Sequence, residues 1–507
     1  MALSGSIRQG EDGVQLIDAI RQVDGQLQQH EQFGDSSRIV GRVLERYKFA
    51  LDVLARSNTR LQEWAARVEL LDARSVDMLL GDLLVRAELE SAVSRIESSG
   101  PSGAECEKLA SLLEDALGPA SRERGPGLAR RGMERELIVG PSARTWVWDL
   151  PDASTPLADR LRESIQTGFM PGAQSSVSIL RPTPRGAQGL ERACTLLHRL
   201  VPRMADSIFR HLHSIAVAHI RGARGRMLTG SGGDGTPCMI FIDPDELENP
   251  WDTAGHILHE GIHLKLSDLI RTGAIVTDDE PVDLPWGRRT ALSNTLFAFH
   301  AYVHMHVFRA AVEHLGPECH AEFGAPRDYQ APAHAMSVVN NETAVPYSRA
   351  EERLDFLHAQ LSGPLSPRLT PHGRQLVAWL WDTLRPFERA STAPAPSVTA
   401  SPRAPPSSAR YRKGRHLSLR RSPSSEALFA LDPRTQRIVT LNLAAWLAFE
   451  LCEDKTEEEL LSAYTASLGL GAERAWAQLA PTLEGLVASG MVERLPRAAR
   501  DSGGASR

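Results

Sequence analysis

Residues 244–271 read PDELENPWDTAGHILHEGIHLKLSDLIR, with His259-Glu260-x-x-His263 at the centre. Residues four apart on a helix share a face, so both imidazoles can point at one metal ion. Glu260 falls one position round, within reach of a metal-bound water or of the ligands themselves. The surroundings favour a helix. Asn249 or Asp252 can cap its start, and Ile257, Leu258, Ile262, Leu266 and Leu269 supply an apolar stripe. Gly261 costs the helix about 1 kcal/mol of propensity, and its lack of a side chain permits close approach by another segment. His256, three residues before His259, is expected to support the site and not to ligate. Just upstream, RMLTGS (226–231) and CMIFID (238–243) flank a glycine-rich GGDGTP, which predicts a β-hairpin running into the helix.

A catalytic ion needs a third ligand. The metzincin extension is absent, because Leu266 and Leu269 stand where its Gly and His belong. The next strong helix, ALSNTLFAFHAYVHMHVFRAAVEHL (291–315), offers His300 or His304, one turn apart on one face, with His306 rotated away. His259, His263 and His300 form the expected metal set. Three histidines with open positions suit either zinc or ferrous iron, and ligand identity does not decide between them. Between the two helices, DDEPVDLPWGRRTA (278–291) places Arg288 and Arg289 in a loop after a Pro-Trp pair, where a guanidinium can hold a carboxylate bidentately.

Outward from this centre, 507 residues allow several domains. Segments such as VGRVLERYKFALDVLARSNTRLQEWAARVELL (40–71) give residues 1–125 a helical reading. Residues 188–222 read as a long helix broken at Pro202. The Pro-, Ser- and Ala-rich stretch 391–410 reads as an extended linker between the catalytic body (126–390) and a unit spanning 411–496, with a tail at 497–507. The expected class is mainly α with small β elements. Fifty-seven Lys and Arg against 63 Asp and Glu leave a net charge of -6, which argues against nucleic-acid binding. No apolar run is long enough to span a bilayer. MALSGSIRQGEDG lacks the apolar core of a signal peptide, and the five scattered cysteines form no CxxC pair, so a cytoplasmic location with reduced thiols is expected.

The unit 411–496 reads as three strands, three helices and a short strand, a winged-helix order. Asn442 is placed to cap the first helix, and Thr456 with Glu459 to form a capping box for the second. Ten basic residues against 11 acidic ones, with only Arg474 in the last helix, point to a peptide ligand and away from DNA. With "TLN" before an apolar helix, "KTEEEL" and "LEGLVASGMVERL", the unit resembles the PqqD-like elements that recognise leader peptides of ribosomally made natural products. Over about residues 170–390, "LHEGIHLKLSDLI", the Pro-Trp pair with arginines, the helix ending "FRA" and "LTPHGRQLVAWL" resemble the HEXXH-motif maturases of the same pathways.

The resemblance implies a peptide β-hydroxylase using Fe(II) and 2-oxoglutarate, with a leader–core precursor peptide as partner. His259, His263 and His300 would hold iron, Arg288 or Arg289 would clamp the distal carboxylate of 2-oxoglutarate, and Glu260 would orient the site. The alternative is a zinc peptidase that trims the precursor, with Glu260 as general base and CMIFID aligning substrate by strand addition. A third reading is a non-catalytic peptide carrier.

Overall fold

The computed structural model describes residues 11–56, 58–72, 82–98, 103–117, 134–138, 144–148, 176–222, 225–227, 229–231, 236–286, 288–326, 350–387, 409–414, 418–421, 428–431, 438–441, 443–468 and 471–495, with the single positions 75, 79 and 163. The tail 497–507, linker positions 391–408 and the expected cap Asn442 lie outside them. The chain is mainly helical with small sheets, and its contacts divide it into two compact units, chiefly Met1–Pro394 and Ala395–Arg507. Among the described residues no helix is long and apolar enough to cross a membrane.

The larger unit opens with helices α1 (Glu11–Gln29), α2 (Ser36–Ala55), α3 (Thr59–Glu69), α4 (Leu83–Ser98) and α5 (Gly103–Leu117). Asp35 caps α2 and Asn58 caps α3 through side-chain oxygens that accept backbone N–H groups, as the pattern of polar residues before apolar stripes requires. Strands β1 (Glu134–Ile138), β2 (Arg144–Trp148) and β3 (Ser176–Ile179) precede α6 (Pro184–Leu200) and α7 (Pro202–Ile208). The break at Val201–Pro202 falls where the sequence puts it.

Beyond α7 the chain departs from the expected helical continuation. Ser214–Gly222 is strand β4, parallel to β2 on one side and to β7 (Met239–Ile242) on the other. Ile215, Ala216, Val217 and Ala218 are all buried, and a strand covered on both faces loses the alternation that would distinguish it from a buried helix. Strands β5 (Gly225–Met227) and β3 pair with the far half of β4. The expected hairpin forms as β6 (Thr229–Ser231) against β7, with Thr229 opposite Ile242 and Ser231 opposite Ile240. The sheet order is β1-β2-β4-β7-β6. CMIFID is therefore an interior strand, buried at all four positions of β7, and the edge available for strand addition is β6.

Helix α8 (Pro250–Thr272) carries the His-Glu-x-x-His motif. The hairpin β8 (Val282–Leu284) and β9 (Arg288–Thr290) leads to α9 (Leu292–His314), then α10 (Ala350–Ser362) and α11 (Pro371–Thr383). One core joins Ile20 and Val23 of α1, Ile39 of α2, Ile215 of β4, Ile240 of β7, Ile257 and Ile262 of α8, and Phe299 of α9. The N-terminal helices α1 and α2 thus belong to the core that supports the motif helix.

In the second unit, β10 (Arg410–Lys413), β11 (Ser418–Arg421), β12 (Leu428–Leu431) and β13 (Ile438–Leu441) precede α12 (Leu443–Leu451), β14 (Glu453–Thr456), α13 (Glu457–Leu468), α14 (Ala472–Ala488) and β15 (Val492–Leu495). They form two sheets, β14-β10-β15 and β11-β12-β13. The sequence reading lacked β10 and β14, two short strands without apolar alternation. The capping box is present: Glu459 Oε2 accepts Thr456 N at 2.7 Å, and Glu459 N donates to Thr456 Oγ1 at 3.3 Å. Gly490, at φ 72°, takes the left-handed position that ends α14. Phe449, Leu460, Tyr464, Leu479 and Leu483 build a separate core.

Candidate metal centre

Asn249 starts α8, its side chain accepting from Trp251 N and Asp252 N while Pro250 takes the first turn. The start is anchored further by Trp251 Nε1, which donates to Gly324 O at 3.1 Å. Gly261 serves the close approach its sequence position suggests: a Cβ there would lie 2.9 Å from Ile208 Cβ on α7. Gly189 on α6 does the same for the turn before α8, since a Cβ there would lie 2.1 Å from Leu247 O. That turn supplies Glu246, whose Oε2 lies 2.9 Å from His256 Nε2. His256 is thereby occupied in a supporting pair, as expected.

His259 and His263 are half-buried, with ring centroids 4.5 Å apart and their Nε2 atoms separated by 3.1 Å. That spacing serves one N–H···N hydrogen bond, and it also suits two ligands of one ion. Bonds of about 2.0–2.1 Å at a tetrahedral angle place ligand nitrogens about 3.3 Å apart. Burial, then the charges of His256 and Arg309, hold His259 below its ordinary pKa against the pull of Glu260. This favours the neutral imidazole that a metal requires.

Glu260 is buried between the two histidines. Its Oε1 accepts the Thr229 hydroxyl at 2.9 Å, and the Ser231 hydroxyl also bonds the carboxylate. Burial works to raise its pKa, but the two histidines and these hydroxyls outweigh it, and the group lies below the usual carboxylate value. Thr229 and Ser231 alternate on edge strand β6, a signal too short to read from sequence.

His300 and His304 on α9 are both buried, with ring centroids 4.5 Å apart, and His304 Nδ1 lies 2.9 Å from His300 O. Burial lowers both, His304 to about 3. His300 Nδ1 and His304 Nε2 are buried without partners. His263 acts electrostatically on His300. His306 points elsewhere, 3.8 Å from Glu351 of α10. Among the described residues, no group of three His, Cys, Asp or Glu side chains is assembled to hold an ion. The structure brings His259 and His263 together and does not assemble His300 with them into a group of three. The pair fits two coordination positions of zinc or iron.

Of the two expected carboxylate clamps, Arg289 is exposed and lies 3.8 Å from Asp283 across the β8–β9 hairpin. The Arg288 side chain lies outside the described residues. Arg309 of α9, a cation that sequence reasoning passed over, acts electrostatically on His259, as does His256.

A second missed feature sits one turn beyond His263. Asp268 receives Arg86, Arg271 Nη1 at 3.0 Å and His211 Nδ1 at 2.7 Å. Glu90 pairs with Arg271 Nε at 2.6 Å and Arg46 Nη1 at 3.1 Å, and it accepts the Tyr47 hydroxyl. This buried network ties α2 and α4 to the motif helix. The arginines hold the Asp268 carboxyl well below its ordinary value although burial opposes them. Lys265, also buried, donates to Gln28 Oε1, Gly34 O and Ser207 Oγ at 2.7–2.9 Å.

No protein-family model matches the chain, and no curated protein matches it.

Proposed function

We propose that this protein hydroxylates a side-chain β-carbon of a ribosomally made precursor peptide, using ferrous iron and 2-oxoglutarate. The observation that carries the reading is the state of Glu260. Its carboxylate lies beside the histidine pair, yet Thr229 and Ser231 already occupy it. The two hydroxyls leave acceptor room on the carboxylate, but with the histidines they hold it below the basicity that suits a peptidase's general base. Held as it is, Glu260 instead fixes edge strand β6 to the motif helix and keeps a negative charge next to His259 and His263.

His259 and His263 would hold the ion, with His300 a candidate for a further ligand. Iron with 2-oxoglutarate would supply the oxidising chemistry: peptide C–H, O2 and 2-oxoglutarate give peptide C–OH, succinate and CO2. The chain's own part is to bind, orient and exclude water. The edge of β6 can take an extended core peptide as an added strand beside the histidines. The C-terminal unit, resembling PqqD-like elements, would bind the leader. Its strand β13, at the edge of the β11-β12-β13 sheet, is the place for strand addition, as the RIVTLN segment suggests. The 391–408 stretch would then act as a tether that raises the local concentration of core peptide.

The test uses a precursor peptide encoded beside this protein. With Fe(II), 2-oxoglutarate and oxygen, the expected product is a peptide heavier by about 16 Da with one succinate per oxygen inserted. Two fragments formed under argon, without 2-oxoglutarate, would establish the zinc peptidase. Binding without any mass change would establish the carrier.

A further inference from the structure

Outside the metal centre, a hydroxyl, an imidazole and a carboxylate line up across strand β4. Ile215 and Val217 point into the core, and two residues further along the same face β4 emerges at His219, whose side chain is 48% exposed. On one side of β4 lies β7, which ends at Ile242. The next residue, Asp243, is fully buried, and its Oδ2 lies 3.3 Å from His219 Nδ1. On the other side lies β3. The carbonyls of His213 and Val217, four residues apart, face one edge of β4 and accept Trp146 N of β2 and Leu180 N, the residue after β3. β3 therefore continues the β2 side, opposite β7. Ser178 of β3 stands directly across from His219 and is exposed. Such a pair holds its Cα atoms about 5.5 Å apart, with both side chains on one face. The order across the sheet is Ser178, His219, Asp243.

The three groups also differ in depth as a nucleophilic site requires. Asp243 is held from behind, its Oδ1 accepting Asp245 N at 3.1 Å. A carboxylate only accepts, so His219 Nδ1 donates to it, and Nε2 is left as a base turned away from β7. Among the described residues neither Nε2 nor the Ser178 hydroxyl is taken by another group. The contact between nucleophile and base commonly closes only when substrate binds.

We propose that Ser178, His219 and Asp243 form an acyl-transfer site for carboxylic esters, distinct in its residues and chemistry from the metal centre. As Ser178 Oγ attacks the ester carbonyl, His219 Nε2 takes the hydroxyl proton. Collapse of the tetrahedral adduct breaks the ester C–O bond, and the proton passes to the departing alcohol. Water, deprotonated in turn by His219, then attacks the acyl-serine, releasing the carboxylic acid and restoring the Ser178 hydroxyl. Asp243 takes no proton; it fixes the ring and faces the imidazolium that forms. The site needs neither iron nor 2-oxoglutarate.

The experiment follows hydrolysis of p-nitrophenyl acetate by the full-length protein, with and without a metal chelator, and maps acetylation by peptide mass. Wild type should gain about 42 Da on the peptide holding Ser178, at a rate unchanged by the chelator. Ser178→Ala should lose this acetylation and about 100-fold or more in kcat/KM, and His219→Gln a similar factor. Both positions are exposed, so both variants should keep the wild-type circular dichroism. Asp243→Asn, with the ring's tautomer no longer fixed, should lose about tenfold or more. Wild-type turnover in Ser178→Ala or in His219→Gln would overturn the site. So would loss of turnover on chelation, which would place ester hydrolysis at the metal centre. Each of these outcomes leaves iron content and peptide hydroxylation to be judged separately.

Discussion

Adding one methyl group at Gly261 sets two effects of opposite sign against each other inside the motif helix. In an uncrowded helix interior, Gly→Ala stabilises by about 1 kcal/mol through helix propensity. Here the new Cβ would stand 2.9 Å from Ile208 Cβ and 3.0 Å from its Cδ1. The Cδ1 can swing aside, but the Cβ is fixed to the backbone of α7, so the two helices must separate. Overpacking of this kind costs about 1–3 kcal/mol. The net expectation for Gly261→Ala is a loss of about 0–2 kcal/mol, read from the urea midpoint of the larger unit at unchanged slope. Combining it with Ile208→Val removes Cδ1 but leaves Cβ, so the double-mutant cycle should return about 0.5–1 kcal/mol of favourable coupling. Gly261→Ala raising stability by the full propensity gain would refute the close approach of α7.

Three further outcomes are expected. Asp268→Asn leaves Arg86 and Arg271 buried without their carboxylate and should cost about 3–5 kcal/mol in chemical denaturation; a loss below about 1 kcal/mol would deny the network its role. Asp24, buried with its pKa pushed up to about 6, has a folded-state pKa above its unfolded one. Its charge therefore destabilises at neutral pH, and that cost disappears as pH falls through about 6 towards 4. Asp24→Asn keeps the acceptor for Met204 N but sets an amide donor against Arg203 N, so its stability relative to wild type should carry that loss throughout and fall by a further amount of about 2–3 kcal/mol between pH 7 and pH 4; a relative stability that does not fall on acidification would contradict this. A C-terminal piece cut at residue 400 should fold alone, whereas one starting at Gly414 should not, because it lacks β10, the central strand that buries Tyr411 and pairs Arg410 with both Thr456 and Leu495. Circular dichroism of the two pieces distinguishes them.

The motif helix was legible because its signals are local: the Asn249 cap, the apolar stripe, the four-residue histidine spacing and the missing side chain at Gly261. The capping box at Thr456 and the hairpin before the helix were legible for the same reason. β4 was not, because burial on both faces erases its period and leaves a run that a helix could equally bury. Strands β10 and β14 were hidden because RYRK and EDKT carry charge where a strand reading looks for apolar alternation. In the site, sequence proximity favoured Arg288 and Arg289, which follow the Pro-Trp pair. Arg309 is 23 residues past Trp286, on a helix other than the motif helix, so its electrostatic influence on His259 is not readable from sequence spacing. Likewise, nothing in the sequence couples Thr229 to Glu260 or Arg86 to Asp268, since those pairs depend on the edge strand and on the docking of α4.

The most direct test of the metal centre is metal content. Full-length protein reconstituted anaerobically with Fe(II) and freed of excess ion should retain about one equivalent, and the His259→Ala/His263→Ala variant should retain less than about a tenth of that, because losing both imidazoles removes the pair around which the site is built. Equal occupancy in the two proteins, with the variant folded, would place the ion elsewhere and contradict the metal centre on which the proposed function rests.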